Sequence, residues 1–119
     1  ALRAELREHL RRHPRDWRAH YRLAMTYAIE RRYRRAGALL DRAVRLGGRV
    51  PEVYYYRGLL HFFRRAWEAA EADMHRVLQL APNHSEALLL LQDLEDVSGR
   101  GRDTEAPDAG KRNEEALGP

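Results

Sequence analysis

The chain has 119 residues, with 22 basic and 18 acidic side chains and no cysteine. One domain fits this length, and without cysteine the chain can form no disulfide, thiolate zinc site or cysteine nucleophile. No apolar run reaches the roughly 18 residues of a membrane-spanning helix. The charged fraction of 34% indicates much exposed surface, as in helical bundles and repeats. The start at Ala1, without an initiator Met, indicates a processed product or an excised piece of a longer protein.

Apolar residues recur at helical spacing and predict six helices. Their expected bounds are residues 2–12, 16–30, 33–46, 51–64, 67–80 and 85–97. Gly47-Gly48 and Pro82 are predicted to end the third and fifth helices. Pro51 suits the first turn of the fourth helix, and Ser85 is predicted to cap the sixth. The short connections are typical of antiparallel neighbours.

The chain also repeats itself with a period of 34 residues, so that residues 17–50 (the first unit) align with residues 51–84 (the second unit). Identical pairs are Tyr21/Tyr55, Arg31/Arg65, Ala36/Ala70, Ala38/Ala72, Arg42/Arg76 and Leu46/Leu80. Residues 1–14 match the end of a preceding unit, and residues 85–97 match the first half of a following one. Residues 1–97 are therefore predicted to form one repeat domain. Residues 98–119 hold a single large apolar residue, Leu117, and are predicted to be a disordered tail.

Small and large residues alternate in each unit at places that fix how two helices pack. Ala24 and Gly58 allow a close approach within each helix pair, and Tyr33 and Trp67 fill the start of the second helix. Helix pairs of constant angle stack into a right-handed solenoid.

This pattern resembles the tetratricopeptide repeat family over residues 1–97. The matching residues are Leu23, Ala24, Tyr27, Tyr33, Ala36, Leu40 and Ala43 in the first unit, Tyr54, Gly58, Trp67, Ala70, Met74, Val77 and Pro82 in the second, and Leu88 and Leu91 in the third. The resemblance implies an all-α superhelix of antiparallel helix pairs, with two full units flanked by half-units. Arg31 and Arg65 depart from it, because many members have Gly between the helices. Arg57 is a further departure, since it stands where Leu23 stands in the first unit.

The resemblance also implies a binding surface, because the first helix of each pair lines the concave face of such a stack. The residues expected to project there are Arg18, Tyr21, Met25, Ala28 and Ile29, then Glu52, Tyr55, Leu59, Phe62 and Phe63, then Glu86, Leu89 and Asp93. The predicted partner-binding residues are Arg18, Tyr21, Arg22, Met25, Glu52, Tyr55, Leu59, Phe62, Glu86 and Asp93. Such a stripe suits an amphipathic helix or an extended peptide of a protein partner. The alternative is that the aromatic residues mainly pack between neighbouring helices.

No arrangement of residues indicates catalysis. His9 and His13 have the spacing of metal ligands on a helix, but no third ligand is evident, so surface histidines are predicted and no metal site. His61 is expected to be a buried core histidine whose hydrogen-bonding groups are satisfied. We expect no catalytic residue and no cofactor, and hence a non-enzymatic scaffold, assembly or chaperone-like module.

Charge is distributed unevenly and leaves a second function open. Residues 1–50 carry 14 Arg and 5 acidic residues, whereas residues 51–98 carry 4 Arg and 8 acidic residues. The Arg-rich half could bind RNA or another nucleic acid, although the acidic half would repel phosphate. The half-units at both ends expose stacking faces, so either further repeats or self-association are expected. Nothing in the sequence assigns a compartment.

Overall fold

The computed structural model describes residues 1–99 and consists of helices in that range, with no strand among these residues. The helices are α1 (Leu2–Arg12), α2 (Trp17–Ile29), α3 (Tyr33–Arg45), α4 (Pro51–Phe63), α5 (Trp67–Leu80) and α6 (Ser85–Ser98). The predicted bounds of all six helices agree with these ranges to within one residue. No helix in this part of the chain is long and apolar enough to cross a membrane. The predicted tail lies outside the described residues from residue 100 onward.

Side chains cap two helices at their N-termini. The carboxylate of Asp16 accepts hydrogen bonds from the backbone N–H groups of Arg18 (3.1 Å) and Ala19 (3.3 Å) at the start of α2. His84, rather than the predicted Ser85, caps α6, because its Nδ1 accepts a hydrogen bond from the N–H of Ala87 at 3.1 Å. The prediction of a Ser85 cap was wrong by one position, since an imidazole nitrogen can serve in place of a hydroxyl oxygen.

Residues with a positive φ form turns within and between the helix pairs. Gly47 has a φ of 107° after α3, as its predicted role in ending this helix requires. Arg31 and Arg65 have φ values of 60° and 64° between the helices of the first and second units. Such a backbone is strained for a residue with a Cβ. Gly would therefore relieve backbone strain at both of these positions.

Each helix packs on the next along the chain, as in a solenoid, and α2 with α3 and α4 with α5 form the tightest pairs. One core joins α1 to α4 around Tyr27 and Leu40, and a second joins α4 to α6 around Met74 and Leu94. This arrangement confirms the predicted all-α superhelix of antiparallel helix pairs.

Gly58 shows why a small residue is needed within a pair. A Cβ at this position would overlap Met74 Cε and lie 3.0 Å from the Cβ of Asp73. The backbone of α4 therefore approaches α5 as closely as the sequence pattern predicted.

Candidate functional site

The first helices of the successive pairs, α2, α4 and α6, carry a band of aromatic rings that we call the inner face. The Tyr21 ring on α2 lies 6.3 Å from the Tyr56 ring on α4, between ring centroids. Tyr56 also contacts Tyr55 at 5.3 Å, and Tyr55 lies 5.3 Å from the ring of His84, the cap of α6. The rings therefore form a continuous contact across three helices.

The apolar residues predicted to bind a partner are half-buried. Tyr21 and Met25 pack against the first core, and Tyr55, Leu59 and Phe62 pack against the second. Part of their area therefore serves packing between helices, as the alternative interpretation held, and the remainder lies at the surface.

The hydroxyls of Tyr21 and Tyr55 have raised pKa values and carry their protons at physiological pH. Burial, followed by the charge of Glu52 and the neighbouring Tyr56, raises the pKa of Tyr21. Burial raises the pKa of Tyr55 in the same way, with Glu86 and Tyr56 adding to it. The two phenols can therefore both donate and accept hydrogen bonds at the edge of an apolar surface.

The predicted charged residues are exposed and change sign from α2 to α6. Arg18 and Arg22 lie on α2, Glu52 on α4, and Glu86 and Asp93 on α6. The guanidinium of Arg18 lies 4.7 Å from the centroid of the adjacent Trp17 ring. The predicted binding residues are thus basic on α2 and acidic on α4 and α6.

Exposed apolar side chains of these helices include Ile29 (84% exposed), Leu89 (64%) and Phe63 (50%). All three were expected to project there. Tyr56, which joins the rings of Tyr21 and Tyr55, was missed. Tyr56 lies 34 residues after Arg22, which was among the predicted partner-binding residues. Applying the repeat to Arg22 would therefore have predicted Tyr56 as well.

An ion-pair network centred on the buried carboxylate of Asp73 was also missed. Asp73 is 1% exposed, and its carboxylate accepts hydrogen bonds from Arg57 at 2.9 and 2.8 Å. Arg57 also donates to Asp41 on α3 at 3.2 Å, and Arg76 donates to Asp73 at 3.0 Å. The network therefore connects α3, α4 and α5.

His61 lies beside this network and is less buried than predicted. Its side chain is 28% exposed, and its Nε2 lies 3.9 Å from the Asp73 carboxylate. Burial lowers the pKa of His61, although the nearby Asp73 carboxylate acts in the opposite direction. The ring is thus held mainly neutral.

The histidines that were considered as metal ligands have other partners. His9 Nε2 lies 2.7 Å from the Asp16 carboxylate, and its ring lies 4.7 Å from that of His13. The bond to His9 lowers the pKa of Asp16, which also caps α2. Within residues 1–99 no group of three or more histidine or acidic side chains could hold a metal ion.

Comparison with known proteins places the fold. No protein-family model and no curated protein sequence matches the chain. Two solved structures of MamA are similar, with TM-scores of 0.75 and 0.77 at 23% and 25% identity. They cover 79% and 83% of this chain, which spans only 55% and 54% of theirs. The likeness shows a helical-repeat solenoid fold, and membership of the tetratricopeptide repeat family stays a prediction from the residue pattern.

Proposed function

We propose that the chain is a non-enzymatic protein-interaction module that binds a peptide or amphipathic helix of a partner across the inner face. The observation that carries this proposal is the continuous ring contact from Tyr21 through Tyr56 and Tyr55, flanked by the exposed Ile29 and Phe63. Aromatic side chains on rigid helices supply large contact area at low cost in conformational entropy. The similarity to a helical-repeat solenoid supports the same class of function.

The binding energy would come from the burial of apolar partner side chains against Tyr56, Ile29 and Phe63. The half-buried residues Tyr21 and Tyr55 would form the floor and offer hydroxyls to the partner backbone. At about 25 cal/mol per Å² of apolar surface, the exposed parts of a few such side chains supply several kcal/mol before the costs of association.

The charge gradient would fix the direction in which the partner lies. An acidic end would contact Arg18 and Arg22 on α2, and a basic end would contact Glu86 and Asp93 on α6. Reversing the partner would place like charges against each other, which disfavours the wrong direction.

The experiment is affinity capture from a cell lysate, with mass spectrometry, using the double variant Tyr56→Glu/Phe63→Glu. Both side chains are at least 36% exposed, so the variant should fold, which circular dichroism checks. Leu80→Glu is the matched control, because Leu80 is 51% exposed but lies on α5. We expect a specific protein that the double variant loses and the control retains. Equal capture by all three proteins would reject the inner face as the binding surface.

Nucleic acid is the alternative ligand, favoured only by the excess of arginine in residues 1–50. Nuclease treatment and added salt in the same capture experiment distinguish nucleic-acid binding from protein binding. Protein capture that survives nuclease supports the proposal. Capture that collapses with nuclease and with salt, and ignores the double variant, supports nucleic-acid binding instead.

Self-association through the ends is the remaining expectation about partners. Leu2 on α1 and Leu88 on α6 are both 50% exposed. Leu2 on α1 is equivalent by the 34-residue repeat to Ala36, and Gln92 on α6 is equivalent to Gly58. A pair formed by α1 of one copy and α6 of another would therefore lack the small residues that allow a close approach. We therefore expect weak association that sedimentation velocity detects at high concentration and that Leu88→Glu abolishes. A strict monomer over the whole concentration range would reject it.

A further inference from the structure

A basic cleft lies between α1 and α3, the second helices of their pairs, with His20 of α2 in its wall. Its volume is about 520 Å³, within the range of ligand-binding pockets. It is lined by Arg7, Leu10, Arg11, Pro14, Arg15, His20, Arg42 and Leu46. The lining thus combines four arginines with three apolar residues and includes no acidic side chain.

The charge of this cleft is only partly compensated. Arg11 pairs with Glu8, and Arg7 donates to the neutral hydroxyl of Tyr27. Arg15 and Arg42 are exposed and form no ion pair with any residue between 1 and 99. The cleft therefore keeps a positive potential that an acidic ligand can neutralise.

The wall of the cleft holds a buried polar atom without a partner. His20 is 6% exposed, and its Nε2 lies 2.9 Å from the carbonyl oxygen of Pro14. A carbonyl oxygen only accepts, so Nε2 carries the hydrogen in this bond. Nδ1 of the same ring is buried and has no hydrogen-bond partner within the described residues, which is rare for a polar atom in a protein interior.

The equivalent position one repeat later is closed by charge pairing. Arg7 is replaced there by Asp41, which bonds to Arg57, and Arg42 is replaced by Arg76, which bonds to Asp73. The buried Tyr54 stands in the place of His20. The basic cleft is therefore a property of the junction between α1 and α3, and the repeat does not impose it.

We infer that this cleft binds an acidic peptide segment of a protein partner, in which carboxylates flank a leucine-sized side chain. The carboxylates pair with Arg15 and Arg42 as charge-assisted hydrogen bonds, and the apolar side chain contacts Leu10, Pro14 and Leu46. A peptide fits better than a nucleic acid because the excess of positive charge does not continue into the second unit. There the Arg57 network is internally paired, and residues 51–98 are net acidic.

The probe is a short fluorescein-labelled peptide with one leucine between pairs of glutamates, and the measurement is fluorescence anisotropy with the whole chain. One control peptide replaces the leucine with alanine, and another replaces every glutamate with glutamine. The cleft variant is Arg15→Gln/Arg42→Gln. Its matched control is Arg34→Gln/Arg64→Gln, which removes the same charge from exposed arginines outside the cleft.

We expect the cleft variant to weaken binding of the leucine peptide by at least about tenfold, since two charge-assisted contacts are lost. The control variant and the inner-face variant Tyr56→Glu/Phe63→Glu should retain binding. The alanine and glutamine peptides should each bind more weakly than the leucine peptide. This pattern would support the cleft even if the proposed inner-face partner were never found.

Four results would overturn the inference. They are the absence of binding by the leucine peptide, equal loss in the cleft and control variants, equal affinity for the alanine peptide, and tighter binding of a single-stranded oligothymidylate that the cleft variant abolishes. The last result would identify the ligand as nucleic acid. Circular dichroism of both double variants excludes unfolding as the cause of any loss.

Discussion

The two repeat units pack their helix pairs in the same way but with different side chains, an apolar pair in the first unit and an ion pair in the second. Leu23 and Leu39 in the first unit correspond to Arg57 and Asp73 in the second, 34 residues later. Leu23 is buried and Leu39 packs against the first core, whereas Asp73 is buried in a bidentate ion pair with Arg57. The helices keep similar bounds in both units. Backbone geometry at this place is therefore set by the small residues and the turns, and it tolerates either kind of pair.

The two solutions should respond differently to the loss of one partner. Removing one member of a buried ion pair leaves the other charge desolvated, which costs about 3–5 kcal/mol. We expect Asp73→Ala to lower the free energy of unfolding by about 3 kcal/mol, the low end of this range, because Arg57 keeps its hydrogen bond to Asp41; urea denaturation measures this. Asp41→Ala is the control and should cost under about 1 kcal/mol, because the Asp41 side chain is 48% exposed. Equal losses in the two variants would show that burial does not set the cost.

The double variant Arg57→Leu/Asp73→Leu sharpens this result by copying the first unit into the second. Replacing a buried ion pair with apolar residues is often neutral or stabilising. We expect the double variant to be at least as stable as the parent chain, despite the large loss in Asp73→Ala. A double variant as unstable as the single one would show that the ion pair is required for folding.

The close approach of α4 and α5 gives the next largest effect. Gly58→Ala should destabilise the chain by about 1–3 kcal/mol, because the new Cβ overlaps Met74 and crowds Asp73. The first unit has Ala24 and Leu40 at the equivalent positions. Adding Met74→Leu should therefore recover part of the loss in thermal denaturation. A stabilising Gly58→Ala would mean that helix propensity outweighs the crowding.

The left-handed arginines should give a smaller effect of opposite sign. Arg31→Gly and Arg65→Gly should each raise the free energy of unfolding by up to about 1 kcal/mol, because Gly adopts a positive φ without strain. Arg64→Gly is the control, since Arg64 has a φ of −92°, and it should be neutral or destabilising. Urea denaturation of the three variants tests this, and equal effects would reject backbone strain as the cause.

His61 should make the stability of the second unit depend weakly on pH. Its pKa in the folded state is lowered, mainly by burial, so the unfolded chain binds more protons just below the ordinary His pKa of about 6.5. Stability should fall as the pH drops through this window and level off below the folded pKa. The variant His61→Tyr, which copies Tyr27 of the first unit, should reduce the slope in urea denaturation at several pH values. An unchanged slope would assign it to other groups.

The sequence predicts the helices well because the apolar stripes are separated by strong breakers such as Gly47-Gly48 and Pro82, or by short polar breaks such as Arg31-Arg32. It predicts the residues of the inner face only in part. Tyr56 was missed because Arg22 at the equivalent position is charged, so the two do not look alike. The pair formed by Asp73 and Arg57 was missed because Arg57 was interpreted only as a departure from the family pattern and Asp73 was not singled out. Only the joint change from Leu23 and Leu39, read across the repeat, signals that the two side chains meet.

The ion-pair network around Arg57 also influences the order in which the helices unfold locally. Through Asp41 and Asp73 it joins α3 to α4 and α4 to α5, whereas α6 is held by the apolar packing of Ala87, Leu90 and Leu94 in the second core. In a repeat protein each helix is stabilised by its neighbours, so helices that share an ion-pair network should open later than α6. Amide hydrogens of α6 should therefore exchange with solvent before those of α3, α4 and α5, which would exchange together as one cooperative segment.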